Sequence, residues 1–191
     1  MNKLDIMLVG VGGQGTLLAS RVLGAVAVKR GYDVKVSEVH GMSQRGGSVV
    51  TYVKMGDKVY SPLIENGEAD IIIAFEKLEA LRWLDYLKQG GRLVINEQEI
   101  NPMPVITGKA KYPESIIEKL REKLKNVTSI DALKIAKECG NIKAVNMVLI
   151  GVMAASTEIG RDLWLDAMKE VIPAKLLEVN LKAFEAGYAG N

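Results

Sequence analysis

Leu4-Asp5-Ile6-Met7-Leu8-Val9-Gly10-Val11-Gly12-Gly13-Gln14-Gly15 is an apolar run that ends in a cluster of glycines. The residues that follow carry Leu17, Leu18, Val22, Leu23 and Val26 on one stripe at helical spacing. Strand, tight turn and helix in that order open a Rossmann-like unit. Its glycines let the backbone approach a phosphate, or another stretch of backbone, where the first helical amides point outward. Gly31 ends the helix expected over 16–30, and residues 34–39 alternate as a second strand. The result is a β-α-β unit, for which a right-handed crossover is the rule.

Outward from that unit, residues 40–47 hold three glycines among polar neighbours and read as a loop. Residues 48–55 are rich in β-branched side chains and read as a strand, and Gly56-Asp57 turns it into a hairpin with 58–61. An antiparallel hairpin makes the sheet mixed. Ile71-Ile72-Ile73 is apolar on both faces, which suits a central strand over 69–75. A helix over 76–87 is closed by Gln89-Gly90-Gly91, and a strand follows at 92–96. The proline-bearing segment 97–113 is expected to wrap a sheet edge, with a short strand near 105–107. Pro113 suits the first turn of a helix over 114–125. Then come a strand at 127–130, a helix at 131–139, and an apolar helix at 143–157 buried against the sheet or a partner. A helical tail at 162–171 and 175–186 is divided by Pro173. The expectation is an α/β fold: a three-layer α/β/α, Rossmann-like mixed sheet with a hairpin and a C-terminal helical tail, forming a single domain over 1–191.

Composition narrows the function. A chain of 191 residues suits one α/β core. A formal net charge of +2, with scattered lysines, lacks the basic field of a nucleic-acid binder. The single cysteine, Cys139, excludes an intrachain disulfide and a four-thiolate iron–sulfur or zinc site, and is expected to be a buried small apolar residue. The most apolar later stretch, 144–155, is shorter than the ~20 residues of a membrane span. Met1-Asn2-Lys3 leads directly into the first strand, so a cytoplasmic protein with no membrane contact is expected.

Gly10, Gly12 and Gly15 match the G-x-G-x-x-G spacing of dinucleotide-binding folds, and Glu38 ends the second strand where a ribose-binding acid would sit. Other features oppose a nicotinamide site. Glu38 runs into a glycine-rich loop, a hairpin interrupts the progression of β-α units, and only one histidine, His40, is present. A purely structural turn and a turn serving a different anion compete with that reading. The second loop, His40-Gly41-Met42-Ser43-Gln44-Arg45-Gly46-Gly47-Ser48, gathers an imidazole, hydroxyls, an amide and a guanidinium. That inventory suits an anion or a polar partner surface. The plainer alternative is a solvated loop whose arginine pairs with a nearby carboxylate.

Taken together, Gly10–Gly15 and Glu38-Val39-His40-Gly41-Met42-Ser43-Gln44-Arg45-Gly46-Gly47 resemble the gamma-type subunit of 2-oxoacid:ferredoxin oxidoreductases. The likeness continues through Asn146-Met147-Val148-Leu149-Ile150-Gly151 and the tail from Leu177 to Tyr188, in the same order along the chain. A stand-alone chain without ferredoxin-type cysteines is most similar to the smaller subunit of the indolepyruvate branch of that family.

The resemblance implies a division of labour. A larger partner subunit would hold thiamine diphosphate, Mg2+ and iron–sulfur clusters. The complex would decarboxylate a 2-oxoacid oxidatively, join the acyl group to coenzyme A, and pass two electrons to ferredoxin. With one cysteine this chain cannot carry the electron relay, and the carbanion chemistry belongs to the thiamine cofactor. By this resemblance the turn of Gly10, Gly12, Gly13, Gln14 and Gly15, together with Arg45, is expected to face coenzyme A phosphates or the oxoacid carboxylate. His40, Ser43 and Gln44 are expected to make polar contacts, with Gly41, Met42, Gly46 and Gly47 completing the loop. His40 is also the one candidate general acid or base, and no complete catalytic set is expected in this chain. Asn146, within the apolar helix, is expected to hydrogen-bond a neighbouring loop. A stand-alone NAD(P)-dependent oxidoreductase and a coenzyme A- or nucleotide-binding module stand as alternatives.

Overall fold

In β1 (Lys3–Val11), Ile6 and Leu8 point to one side and Met7 and Val9 to the other, and all four are fully buried. A strand apolar on both faces must be covered by helices on both faces. The computed structural model describes residues 3–41 and 46–190. Its sheet has six strands in the order β2-β3-β1-β4-β5-β6, adding β2 (Asp33–His40), β3 (Ser48–Gly56), β4 (Ala69–Ala74), β5 (Leu87–Asn96) and β6 (Val127–Ile130). β3 runs antiparallel to both β2 and β1, and β1, β4, β5 and β6 pair in parallel. The C-terminal ends of β1, β2, β4, β5 and β6 therefore share one edge of the sheet.

α1 (Thr16–Lys29), α5 (Ala132–Glu138), α6 (Val145–Ala155), α7 (Arg161–Val171) and α8 (Ala174–Ala189) cover the Ile6 face. α2 (Lys77–Arg82) and α4 (Ile116–Lys123) cover the Met7 face. The three expected layers are present. The tail is anchored rather than loose: Trp164 and Phe184 are fully buried, each contributing roughly 1.5–3 kcal/mol by leaving water. α6 and α8 meet backbone to backbone. A Cβ built on Gly151 would stand 2.1 Å from the Phe184 carbonyl oxygen, and one on Gly187 would stand 2.0 Å from that of Val148. At the far edge of the sheet, fully buried Asp5 is paired with Lys3 at 2.8 Å and Lys54 at 3.5 Å.

Several local expectations are corrected. The antiparallel partner of β3 is not residues 58–61, which form no strand, but β2 before it and β1 beside it. The antiparallel pair that is consecutive in sequence is therefore β2–β3. β1 and β2 are parallel but not adjacent, because β3 fills the gap between them. Ladder bonds on both sides give β3 more than a turn at Gly56-Asp57 could. Residues 105–107 belong to a helical turn, α3 (Met103–Ile106), which follows Pro102 as its N-cap. Gln89-Gly90-Gly91 lie inside β5, where a register shift against β4 bulges the chain outward. The helix before them is cut short at Arg82 and followed by a 3-10 turn, Leu84–Tyr86. Pro113 precedes α4 by three residues instead of sitting in its first turn. Cys139 caps α5 and is half-buried against the core rather than fully enclosed. Residues 143–157 hold the buried α6 as expected, opened by a 3-10 turn at Ile142–Ala144. Among the described residues, no helix is long and apolar enough to cross a membrane.

Candidate functional site

The glycine turn leaves β1 at the shared strand-end edge, where open α/β sheets place their ligands. Each glycine there has its own reason. At Gly10 a Cβ would lie 2.8 Å from Gln14 Oε1 and 2.9 Å from the Phe75 Cβ, so the chain must pass without a side chain. Gly12 N donates to Gly47 O at 2.9 Å, which joins the turn to the stem of the second loop. Gly13 has φ +102° and open space where a Cβ would be. Gly15 has φ +85° and presses on Asn146, whose Nδ2 donates to Gly15 O at 3.1 Å. The expected loop-holding role of Asn146 is met by this bond.

Gln14 is committed largely to the scaffold. Its Oε1 accepts from Val11 N at 2.7 Å, and its Nε2 donates to Phe75 O at 3.0 Å and to Gln98 Oε1 at 3.4 Å. Asn96 joins this network: its Nδ2 donates to Phe75 O at 3.0 Å, and its Oδ1 accepts from Ala132 N at 3.1 Å. One polar cluster thus ties together the ends of β1, β4 and β5 and the start of α5. Sequence reading passed over Asn96 and Gln98. The available signal was a polar residue at the C-terminal end of an otherwise apolar strand.

α1 starts at Gly15 with no side-chain cap and no acid in its first turn. Its positive end therefore favours an anion at the turn. A cleft lies on each side. The wider, about 730 Å³, runs from Gly13 and Gly15 past Leu18, Leu133, Ile142 and Leu176, with Lys143 and Lys175 exposed beside it. Its size is that of a small-molecule site. The narrower, about 390 Å³, is bounded by Gly12, Gly13, Thr16, Glu38, His40 and Val49.

Glu38 is engaged by protein partners: it accepts from Thr51 Oγ1 at 3.2 Å and Thr16 Oγ1 at 3.4 Å, and His40 Nδ1 stands 3.8 Å from its carboxylate. That arrangement ties a ribose-binding candidate to β3 and α1. Gly41 and Gly46 have open space beside them, and Gly46 has φ +78°. Met42, Ser43, Gln44 and Arg45 lie outside the described residues. The structure thus brings together the Gly10–Gly15 turn, His40 and Gly47, and adds Lys143 and Lys175, which carried no motif.

Behind the turn sit two buried carboxylates. Glu76 caps α2 by accepting from Glu79 N at 2.9 Å, and its other oxygen accepts from Ile100 N at 3.1 Å and from the Tyr112 hydroxyl. Burial, then the Glu76 carboxylate, pushes the Tyr112 phenol well above its usual range, so it remains a donor at any ordinary pH. Glu79 accepts from Ser48 Oγ, from Trp83 Nε1 at 3.2 Å and from Arg82 Nε at 3.0 Å. Among the described residues, no group of three or more His, Cys, Asp or Glu side chains could hold a metal ion.

Residues 5–190 match the family model described as pyruvate ferredoxin/flavodoxin oxidoreductase. The chain is 45% identical to indolepyruvate oxidoreductase subunit IorB of Pyrococcus horikoshii, over 98% of this chain and 95% of that protein. Its fold is shared with pyruvate oxidoreductase subunit PORC of Thermotoga maritima, at a TM-score of 0.73 and 20% identity over 99% of this chain and 97% of that one. It is also shared with 2-oxoglutarate:ferredoxin oxidoreductase of Magnetococcus marinus, solved with 2-oxoglutarate, coenzyme A and succinyl-CoA bound. There the TM-score is 0.73 at 21% identity, over 99% of this chain and 31% of that larger one. The glycine turn, the hairpin loop and the helical tail all fall within the family match, and the chain belongs to the pyruvate ferredoxin/flavodoxin oxidoreductase family.

Proposed function

We propose that this chain is the smaller, non-autonomous subunit of an indolepyruvate-type 2-oxoacid:ferredoxin oxidoreductase, and that its glycine turn forms one wall of a site completed by a larger subunit. The family match and the 45% identity to an indolepyruvate oxidoreductase subunit support the assignment. In this reading the larger subunit holds thiamine diphosphate, Mg2+ and the iron–sulfur clusters, ferredoxin is the acceptor, and the complex is cytoplasmic. The thiamine cofactor would supply the carbanion chemistry of decarboxylation. This chain's residues bind and orient.

The observation that carries the reading is the bare glycine turn between two clefts at the uncapped start of α1. Gly13 lets a phosphate approach the backbone, while Lys143 and Lys175 supply positive charge beside the wider cleft. Leu18, Leu133, Ile142 and Leu176 offer an apolar wall. An anion with an arm that alternates apolar and amide groups fits a lining that mixes these side chains with Gln98, Asn141 and Asn180, and coenzyme A has that chemistry. His40 and Arg45 are assigned to the polar side of the same anion.

The test is reconstitution. The chain and its larger subunit, mixed, are expected to reduce ferredoxin with indolepyruvate in a coenzyme A-dependent way. The double substitution Lys143→Ala, Lys175→Ala is expected to raise KM for coenzyme A by about tenfold, as loss of charge-assisted contacts does. Reduction of NAD or NADP by the chain alone would overturn the assignment. An unchanged KM would remove the lysines from the site.

A further inference from the structure

Ser48 opens β3 opposite Val11, the last residue of β1. Its hydroxyl donates to Glu79, on the opposite side of the sheet from α1. The preceding residue, Gly47, receives the Gly12 amide at 2.9 Å. Two consecutive residues of the loop stem are therefore fixed in two directions: Gly47 to the glycine turn, Ser48 to α2.

Glu79 is well suited to act as that post. It is 4% exposed, and its carboxylate is held by Arg82 and Trp83 independently of Ser48. The helix that carries it is fixed in turn by Glu76, which caps α2 and takes bonds from Ile100 and Tyr112. A buried carboxylate with several donors is costly to disturb, so its position is stiff.

We infer that Glu79 is a positioning residue: through Ser48 and Gly47 it sets where Gly12 and Gly13 stand, and so sets the affinity of the turn for its anionic co-substrate. The inference rests on the proposed coenzyme A site. A shift of the turn by a fraction of an ångström would lengthen every backbone contact to a phosphate at once, and hydrogen bonds weaken as they lengthen.

The experiment uses the reconstituted complex and coenzyme A as the varied substrate. Ser48→Ala removes one hydroxyl and leaves Glu79 paired with Arg82 and Trp83. It is expected to raise KM for coenzyme A by about tenfold, the worth of about one hydrogen bond, with kcat within about twofold, and Ser48→Thr is expected to keep KM near the wild-type value. Glu79→Ala, which removes both oxygens that Ser48 could bond, is expected to raise the same KM, with no further rise when Ser48→Ala is added to it. That non-additivity is the signature of one shared contact. A structural role alone would lower the unfolding temperature and leave KM where it was, which overturns the proposal. Gly13→Ala is the control for the underlying site. If Gly13→Ala raises KM and Ser48→Ala does not, the positioning role falls and the site stands. If neither moves KM, the site reading falls, and this inference falls with it.

Discussion

Gly187 and Gly13 are the same residue type used for opposite physical reasons. At Gly187 the space a Cβ would take is already filled by the Val148 carbonyl, 2.0 Å away. At Gly13 that space is open. The first glycine brings two helices into backbone contact; the second keeps a stretch of backbone bare. One belongs to stability and the other to access, and substitution should separate the two.

The largest effect on stability is expected at the helix crossing. Gly187→Ala forces α8 away from α6, and overpacking of this kind costs about 3 kcal/mol. For a chain of this size that corresponds to a fall of roughly 6–12 °C in unfolding temperature by calorimetry. An unchanged temperature would break the claim that the two backbones touch.

This contrast also marks how far the sequence could be read. The helical stripe over 16–30 placed α1, and continuous apolar runs placed β1, β4 and α6, because those runs are enclosed on both faces. The three layers followed from Ile71-Ile72-Ile73 and its like, apolar on both sides. Strand order did not follow. Which neighbour β3 chooses depends on long-range pairing with β1 and β2, and local turn chemistry at Gly56-Asp57 pointed elsewhere. The turn was visible in the spacing of Gly10, Gly12 and Gly15. The far side of the wider cleft was not, since Lys143 and Lys175 sit apart in sequence and reach that cleft only through the packing of the 142–144 turn and α8. The backbone contact of α6 with α8 left a faint trace in Ala183 and Gly187, small residues four apart on one helical face.

Between the two extremes lies Gln14, which serves the scaffold while lining the wider cleft. Gln14→Ala leaves the Val11 amide without its side-chain acceptor, while the Phe75 carbonyl keeps Asn96 Nδ2, and the expected loss is about 1–3 kcal/mol. It should appear as a lower denaturant midpoint at an unchanged slope. A loss below that range would assign Gln14 to the ligand instead of the scaffold.

The smallest effect on stability, joined to a large one on binding, is expected at Gly13. An alanine there meets no neighbour and adds only the strain of a positive φ, about 1–2 kcal/mol. Its methyl group would stand in the open space where the proposed anion would approach. The most direct measurement is calorimetric titration of coenzyme A into the reconstituted complex carrying wild-type or Gly13→Ala chain. The account predicts binding weakened by about tenfold or more, close to the worth of one charge-assisted contact, with the complex still assembled. Equal affinity for the two would contradict the claim that the glycine turn is kept bare for an anion.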